Sequence, residues 1–333
     1  MATRFRKISC ILLLLCILSS CTPTSADPTP PPSSSAPTSE PTSSVVTEDP
    51  VQNTEMPVES PPAANFVPYE APPFADAVFH DCEEVDGVKL DLSALSEGYV
   101  AVSAVKDVRL KFLVVKDDVT YTYDIENDGT PSIFPIQSGD GHYVFQVWEN
   151  VTDTKYAQGY SGEADVTLKD AFQPYIRPSD YVPYTQSSLC VKKAEEIAAK
   201  CSDELEVVSG VYDYICNTVT YDADKASNVP SGYMPVPDET MTSGKGICFD
   251  YASLAAAMLR SQGIPTRVIF GYVAPNDLYH AWNMFYTDET GWVTVGYQVS
   301  GDNWNRLDLT FSANGADDTF IGDGTNYTDV YMY

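Results

Sequence analysis

The chain has 333 residues and a formal net charge of −28 at pH 7, with 47 acidic side chains against 19 basic ones. A polyanion of this size repels nucleic-acid phosphates and anionic lipid head groups, so we exclude nucleic-acid binding. Hydrophobic residues make up 44% of the sequence and aromatic residues 12%. Beyond its N-terminal segments, the chain can therefore support a packed core.

Residues 1–20 have the pattern of a signal peptide. Three basic residues precede an apolar run from Ile8 to Leu18, which is short for a membrane span. The next residues, Leu18-Ser19-Ser20-Cys21, resemble the bacterial lipobox, in which cleavage occurs before a lipidated cysteine. The resemblance implies lipidation of Cys21 and a protein anchored to the cell membrane on its extracellular side. Ordinary secretory cleavage, with Cys21 incidental, is the alternative.

Residues 21–65 are predicted to be a linker. The stretch 22–64 holds eleven of the 24 prolines, many Ser and Thr residues, and no Lys, Arg or aromatic residue. Such a segment cannot bury enough apolar surface to offset the loss of chain entropy on folding. Its Pro-Thr and Pro-Ser steps favour extended polyproline II conformations, so we expect a spacer.

Residues 66–186 are predicted to form an all-β, sandwich-like domain. Short alternating segments separated by Asp, Asn and Gly clusters predict strands. These segments are 98–104, 109–115, 119–123, 143–148 and 164–168. His80 and His142 stand alone beside turns, so no catalytic group of residues is evident here. A structural calcium in the turns is the alternative to plain turn chemistry, although neither turn has EF-hand spacing.

Residues 187–333 are predicted to form an α+β domain, because helical periodicity comes first and strands follow. The predicted helices are 189–201, 204–219 and 248–262, with Asp203 as an N-cap and Gly263 as a terminator. A proline-containing loop is expected between the second and third helices. The predicted strands are 266–273, 280–286, 292–298 and 304–311.

Three residues of this domain could form a nucleophilic site. Cys248 is expected in the first turn of the third helix, where unpaired N–H groups and the helix dipole favour the thiolate. His280 is the only imidazole between residues 187 and 333. It is therefore the one candidate base in this domain. Asp308 could orient that imidazole. The alternatives are a buried structural cysteine, a surface histidine, and a turn or ion-paired aspartate.

The order and context of these residues resemble the transglutaminase-like superfamily. The matching motifs are Gly246-Ile247-Cys248, His280-Ala281-Trp282-Asn283 and Asp308-Leu309-Thr310-Phe311. The resemblance covers about residues 187–312. It implies a papain-like core with Cys248 as nucleophile, His280 as general base and acid, and Asp308 as the orienting carboxylate.

The sequence departs from the family in two places. An insertion, 295–303, lengthens the segment between His280 and Asp308. Animal transglutaminases use a Trp upstream of the cysteine to hold the oxyanion, but this chain has no Trp between Trp148 and Trp282. We therefore expect the Cys248 N–H to hold the oxyanion, together with the hydroxyl of Tyr221 or Tyr233.

The remaining cysteines beyond the linker are Cys82, Cys190, Cys201 and Cys216. Cys190 and Cys201 lie about three helical turns apart, too far for a bridge along one straight helix. We expect mostly free thiols. No CxxC motif is present, and we expect neither a metal nor another cofactor.

The sequence therefore predicts a surface-anchored thiol enzyme that forms a Cys248 thioester with a protein or peptide amide. Water or an amine would then complete deamidation, hydrolysis or acyl transfer. Cell-wall peptides and surface proteins are candidate substrates. Two alternatives stay open: a cell-surface cysteine peptidase or amidase, and a non-catalytic binding or scaffold module with an idle triad. Loss of function in Cys248→Ala would distinguish the enzymes from the binding module.

Overall fold

The computed structural model describes residues 82, 84–230, 232–274, 277–287, 291–294, 309–313 and 326–333. The described residues belong to one compact unit, Glu55–Tyr333. The signal peptide, Cys21, the linker, His80 and Asp308 lie outside them, so the predictions made for these segments stay predictions. The predicted domain boundaries also stay predictions. In the described part of the chain, no helix is long and apolar enough to cross a membrane.

The β-rich region, 84–166, contains two four-stranded antiparallel sheets. Its strands are β1 (Glu84–Val85), β2 (Val88–Asp91), β3 (Tyr99–Ala104), β4 (Leu110–Lys116), β5 (Val119–Ile125), β6 (Ser132–Pro135), β7 (Gly141–Thr152) and β8 (Lys155–Val166). One sheet has the order β1-β2-β3-β6, and the other has the order β5-β4-β7-β8. Short 3₁₀ helices lie at Leu95–Glu97 and Gln173–Tyr175.

The inner faces of the two sheets share one core. The rings of Phe112 on β4 and Phe134 on β6 are 5.2 Å apart, and both side chains are fully buried. The alternation of buried and exposed residues along β4 and β5 produces this packing. The predicted strands in this region are confirmed, although β8 begins earlier than expected. Strands β1, β2 and β6 were not predicted.

The C-terminal region combines helices with an antiparallel sheet. Its helices are α1 (Leu189–Ala198), α2 (Glu204–Thr218), α3 (Ala223–Asn228), α4 (Pro237–Ser243), α5 (Cys248–Arg260) and α6 (Leu309–Ala313). Its strands are β9 (Thr220–Tyr221), β10 (Lys245–Gly246), β11 (Thr266–Val273), β12 (Leu278–Thr287), β13 (Gly291–Thr294) and β14 (Tyr327–Met332). The larger sheet has the order β13-β12-β11-β14, and β9 pairs with β10 in parallel.

The predicted helices and their end signals are confirmed. Asp203 caps α2, with its Oδ1 accepting a hydrogen bond from the Glu206 N–H at 2.8 Å. Gly263 follows α5 with a φ of +80°, the left-handed conformation that a glycine accommodates without strain. The expected proline-containing loop instead holds two short helices. Asp222 caps α3, and Pro237 begins α4, both of which are ordinary helix-start signals.

The strand predicted for 304–311 is wrong at its C-terminal end, because residues 309–313 form α6. The alternation of Leu307, Leu309 and Phe311 suggested a strand, but short apolar runs do not distinguish strand from helix. Leu309 is buried, and the Cys216 thiol of α2 lies 4.0 Å from its carbonyl oxygen. Residues 304–308 lie outside the described residues. Strand β14 was not predicted at all.

Helix α5 lies antiparallel to β11 and is buried from Phe249 to Arg260. At its C-terminal end, the Arg260 Nε donates to the Thr266 carbonyl at 2.8 Å. Near its N-terminal end, the ring of Phe249 lies 4.8 Å from that of Phe270. These contacts place the first residue of α5 at the end of the sheet where β11 finishes and β12 begins.

Candidate active site

Cys248 is the first residue of α5 and is partly exposed. The local sequence makes this position possible. Gly244 ends α4 with a φ of +63°, which turns the chain toward α5. A Cβ at Gly246 would lie 2.7 Å from the Asp250 Cβ, so a side chain there would displace Asp250. The thiol therefore sits at the N-terminus of a thirteen-residue helix, where the helix dipole favours a negative charge.

His280 lies in β12 and is 4% exposed. It is directly opposite Gly271 of β11. Its ring stacks at 6.2 Å on the ring of Trp282, which fixes one face of the imidazole. Gly271 leaves room for that indole, because a Cβ at Gly271 would lie 2.7 Å from the Trp282 Cη2. The His-Ala-Trp motif therefore includes the residue that packs against the histidine.

Asn283 ties β12 to α5. Its side-chain amide donates to the Ala252 carbonyl at 2.9 Å and to the Arg267 carbonyl at 3.2 Å. Ala252 is one helical turn after Cys248, and Asn283 is three residues after His280. The hydrogen bond to Ala252 therefore fixes the position of β12 along α5. The structure brings Cys248 and His280 to the same end of the sheet, while Asp308 lies outside the described residues.

Two tyrosines lie close enough to Cys248 to sense its charge. Burial raises the pKa of Tyr221, and the nearby Cys248 adds to the shift. Burial likewise raises the pKa of Tyr279, with Tyr272, Tyr331 and Cys248 contributing further. Tyr221 pairs with Gly246 in the β9–β10 ladder, and Tyr279 immediately precedes His280. Both hydroxyls therefore stay protonated at neutral pH beside the thiol.

The two tyrosines predicted as oxyanion donors have different surroundings. The Tyr233 hydroxyl donates to the Asp250 Oδ1 at 2.6 Å and accepts from the Lys225 Nζ, also at 2.6 Å. Its single proton is thus engaged, and an oxyanion role would require the bond to Asp250 to break. Tyr221, half-exposed beside Cys248, stays the predicted donor.

Sequence reasoning missed Lys225 and Asp250. Asp250 is fully buried in the first turn of α5, and its Oδ2 accepts from the Ile247 N–H at 2.8 Å. The Lys225 Nζ lies 2.7 Å from the same oxygen. An acid three residues after the N-cap position is a recognisable helix-start signal that could have identified Asp250. No local pattern could have paired it with a lysine 25 residues away.

Three exposed tyrosines lie on neighbouring strands of the larger sheet and form what we call the tyrosine surface: Tyr272, Tyr279 and Tyr331. Each is more than 40% exposed. The rings of Tyr272 and Tyr279 are 5.5 Å apart, and Tyr331 pairs with Phe270 in the sheet. A contiguous exposed aromatic patch of this kind is typical of a binding surface.

Two other cysteines, Cys190 and Cys201, are buried thiols in surroundings that disfavour the thiolate. Burial, together with the charge of Asp238, raises the pKa of the Cys190 thiol far above its ordinary value. Burial also raises the pKa of Cys201. Within the described ranges, no group of three or more His, Cys, Asp or Glu side chains could hold a metal ion.

A groove of about 530 Å³ lies on the β-rich region, and Cys248 and His280 do not line it. Its lining includes Lys111, Asp124 and Tyr156, together with Gly232 from the loop before α4. Lys111 pairs with Asp124 at 2.8 Å, and Arg109, Glu126 and Asp153 also line the groove. No cysteine or histidine is among its lining residues.

Residues 191–296 match the family model of the transglutaminase-like superfamily. The UPF0252 protein MJ1282 of Methanocaldococcus jannaschii is 28% identical over 81 residues, which are 22% of this chain and 23% of that protein. The uncharacterized protein YebA of Bacillus subtilis is 26% identical over 138 residues, 36% of this chain and 18% of that protein. The chain thus spans less than a quarter of the length of these relatives.

A crystal structure of a proposed cysteine protease from Cytophaga hutchinsonii aligns with 19% identity and a TM-score of 0.35, over 71% of this chain and 86% of that chain.

Proposed function

We propose that this chain, whose residues 191–296 belong to the transglutaminase-like superfamily, is a thiol enzyme acting on protein or peptide amides. The observation that carries the proposal is the position of Cys248. It is a partly exposed thiol at the N-terminus of a buried helix, at the end of the sheet where β12 places His280. In a purely structural role this cysteine would be buried and apart from any base.

The proposed reaction begins when the Cys248 thiolate attacks the amide carbonyl carbon. The C–N bond breaks, the leaving amine takes a proton from the His280 imidazolium, and a thioester remains on Cys248. Water or a second amine then gives up a proton to His280, attacks the thioester and releases the thiolate. Asp308 is proposed to hold the imidazole in orientation through its ring N–H.

The oxyanion formed in both steps is proposed to lie at the N-terminus of α5. The Cys248 N–H belongs to the first turn, where backbone donors have no partner within the helix. Tyr221 is the proposed second donor, because its hydroxyl lies beside Cys248 and stays protonated. Losing one such donor typically lowers the rate about 10²–10³-fold.

We propose a polypeptide, rather than a small amide, as the substrate. The tyrosine surface spans three neighbouring strands, β12, β11 and β14, and its Tyr279 lies near Cys248, so an extended chain is the kind of substrate it could contact. The proposed setting is the outer face of a cell membrane, with Cys21 lipidated and the linker as a tether. Cell-wall peptides or surface proteins are then the substrates within reach.

The test is to capture the thioester. The full chain is incubated with a mixture of glutamine-bearing and other amide peptides, quenched in acid and analysed by mass spectrometry. We expect a peptide adduct on Cys248 that is lost in Cys248→Ala. Adding a primary amine distinguishes the outcomes: ammonia release alone means deamidation, amine incorporation means acyl transfer, and main-chain cleavage means a peptidase. Equal results for wild type and Cys248→Ala would contradict the proposal and favour the binding module.

A further inference from the structure

An ion pair between a fully buried carboxylate and a partly exposed lysine lies at the first turn of the nucleophile's helix. Asp250 has no exposed surface, and the exposed fraction of the Lys225 side chain is 30%. The Asp250 carboxylate accepts hydrogen bonds from the Tyr233 hydroxyl at 2.6 Å and from the Ile247 N–H at 2.8 Å, and it pairs with the Lys225 Nζ at 2.7 Å. The ammonium also lies 4.5 Å from the centre of the Tyr233 ring.

Such a pair is not explained by fold stability. Burying the Asp250 carboxylate costs several kcal/mol, and well-packed apolar residues often stabilise a fold as well or better. The position of the pair in the helix explains it better, because Asp250 is two residues after Cys248 in the same helical turn. The Asp250 carboxylate accepts a hydrogen bond from the N-cap residue, Ile247, and so orders the backbone immediately before Cys248.

The negative charge of the Asp250 carboxylate disfavours a thiolate at Cys248, and the Lys225 ammonium offsets this effect. A negative charge in the first turn of α5 opposes a second negative charge on Cys248, and the low dielectric of the interior strengthens this repulsion. An ammonium on the carboxylate cancels most of that field. Burial lowers the pKa of Lys225, but hydrogen bonds to Asp250 and Tyr233 outweigh it and raise the pKa overall. The lysine therefore stays cationic at the pH where the thiol must ionise.

We propose that Lys225 is a positioning residue for the nucleophile: its ammonium neutralises buried Asp250, so that the carboxylate can order the start of α5 without suppressing the Cys248 thiolate. The inference rests on the proposed function, in which Cys248 is the nucleophile. It explains why a lysine from α3, outside the nucleophile's own helix, reaches into the site. The α3 helix is itself held there, because the Asp222 N–H donates to the Gly246 carbonyl at 2.9 Å.

Several other titratable groups surround this site. Tyr221 approaches Cys248 from β9, and Tyr279 from β12, with His280 next to it along that strand. Asp222 caps α3 through the Lys225 N–H, and Lys245 is exposed in β10. The variants below leave all of these residues unchanged, so a change in thiol titration reports on the Lys225–Asp250 pair.

The experiment is the pH dependence of Cys248 alkylation by iodoacetamide in the full chain, followed by digestion and mass spectrometry. We compare wild type with Lys225→Met, Asp250→Asn and the double variant. Lys225→Met should raise the midpoint by about one pH unit, roughly a tenfold loss of thiolate at pH 7, because the carboxylate is then uncompensated. Asp250→Asn should lower it, because the ammonium is then unpaired. The double variant should return toward wild type, and Lys225→Arg should remain close to it.

Opposite shifts in the two single variants are the decisive signature, since loosening of the helix start alone would move both midpoints in one direction. Shifts of the same sign, or none, overturn the role of Lys225. A wild-type midpoint near the free-thiol value of roughly 8.5 that is insensitive to His280→Ala overturns the proposed function instead. If Lys225→Met does not fold, Asp250→Asn and the double variant still give the predicted order of midpoints, and a double variant that titrates like Asp250→Asn contradicts it.

Discussion

The β-rich region and the region around α5 place their charged groups in different ways. In the β-rich region the acids of two ion pairs are exposed: Asp124, the partner of Lys111, is 60% exposed, and Asp86, the partner of Lys106, is 82% exposed. Around α5, Asp250 and Arg260 have no exposed surface. Exposed pairs contribute little to stability, whereas removal of one partner from a buried polar network is costly.

The two buried charges occupy the two ends of α5. Asp250 orders its N-terminus, and Arg260 binds three carbonyl oxygens at its C-terminus, those of Arg177, Thr266 and Tyr333. Hydrogen bonds to specific backbone groups therefore hold the helix in place at both ends. Apolar packing holds both the β-rich sheets and α5, whose residues belong to one core cluster. The polar contacts at the two ends of α5 are additional restraints on this helix, and hence on Cys248.

The largest expected effect on stability comes from Arg260→Met. The substitution leaves three buried carbonyls without their donor, and we expect a loss of about 4 kcal/mol in the free energy of unfolding, measured by urea denaturation. Lys111→Met, which breaks an exposed pair in the β-rich region, is the matched control and should cost below about 1 kcal/mol. Equal losses in the two variants would remove the contrast between the regions.

A smaller effect is expected at Asp180, in the segment that joins the two regions. Burial raises its pKa to about 6, although Ser132 and Ile133 donate hydrogen bonds to it. Between pH 4 and pH 6 the folded protein then holds a proton that the unfolded chain has lost, so stability falls as pH rises through that window. Asp180→Asn should abolish this fall and add about 2 kcal/mol at pH 7. Parallel pH profiles of stability for wild type and Asp180→Asn would show that ionisation of Asp180 does not destabilise the folded protein.

The smallest effect is expected at the tyrosine surface. Tyr279→Ala should lower kcat/KM for a polypeptide substrate roughly tenfold, mainly through KM, because an aromatic contact contributes about 0.5–1.5 kcal/mol. Tyr279→Phe keeps the ring and should behave like wild type. Alkylation of Cys248 should be unchanged in both variants. A loss in kcat alone would contradict a docking role for this residue.

The sequence predicts the elements whose signals are local. The start of α2 at Asp203 and the end of α5 at Gly263 could be located because a cap acts within one turn. Strand β14 escaped prediction because its partner β11 lies more than fifty residues earlier, and its register shifts between Phe270 and Gly271. Helix α6 was mistaken for a strand because contact with α2, rather than its own periodicity, decides its conformation.

The same distinction holds at the candidate site. Cys248 and His280 could be proposed from short motifs, and the packing of Trp282 on His280 lies within one of them. The engagement of Tyr233 by Asp250, and of Asp250 by Lys225, joins residues from three separate segments. Such contacts depend on the tertiary fold, so the sequence alone could name Tyr233 only as a nearby hydroxyl.

The proposed pairing of an activated Cys248 with His280 is tested most directly by the pH dependence of Cys248 alkylation in the full-length protein, compared with His280→Ala. We expect fast labelling with a midpoint well below roughly 8.5 in wild type, and a return to about that value in His280→Ala. Slow labelling near that value in both proteins would contradict the pairing and favour a non-catalytic binding or scaffold module.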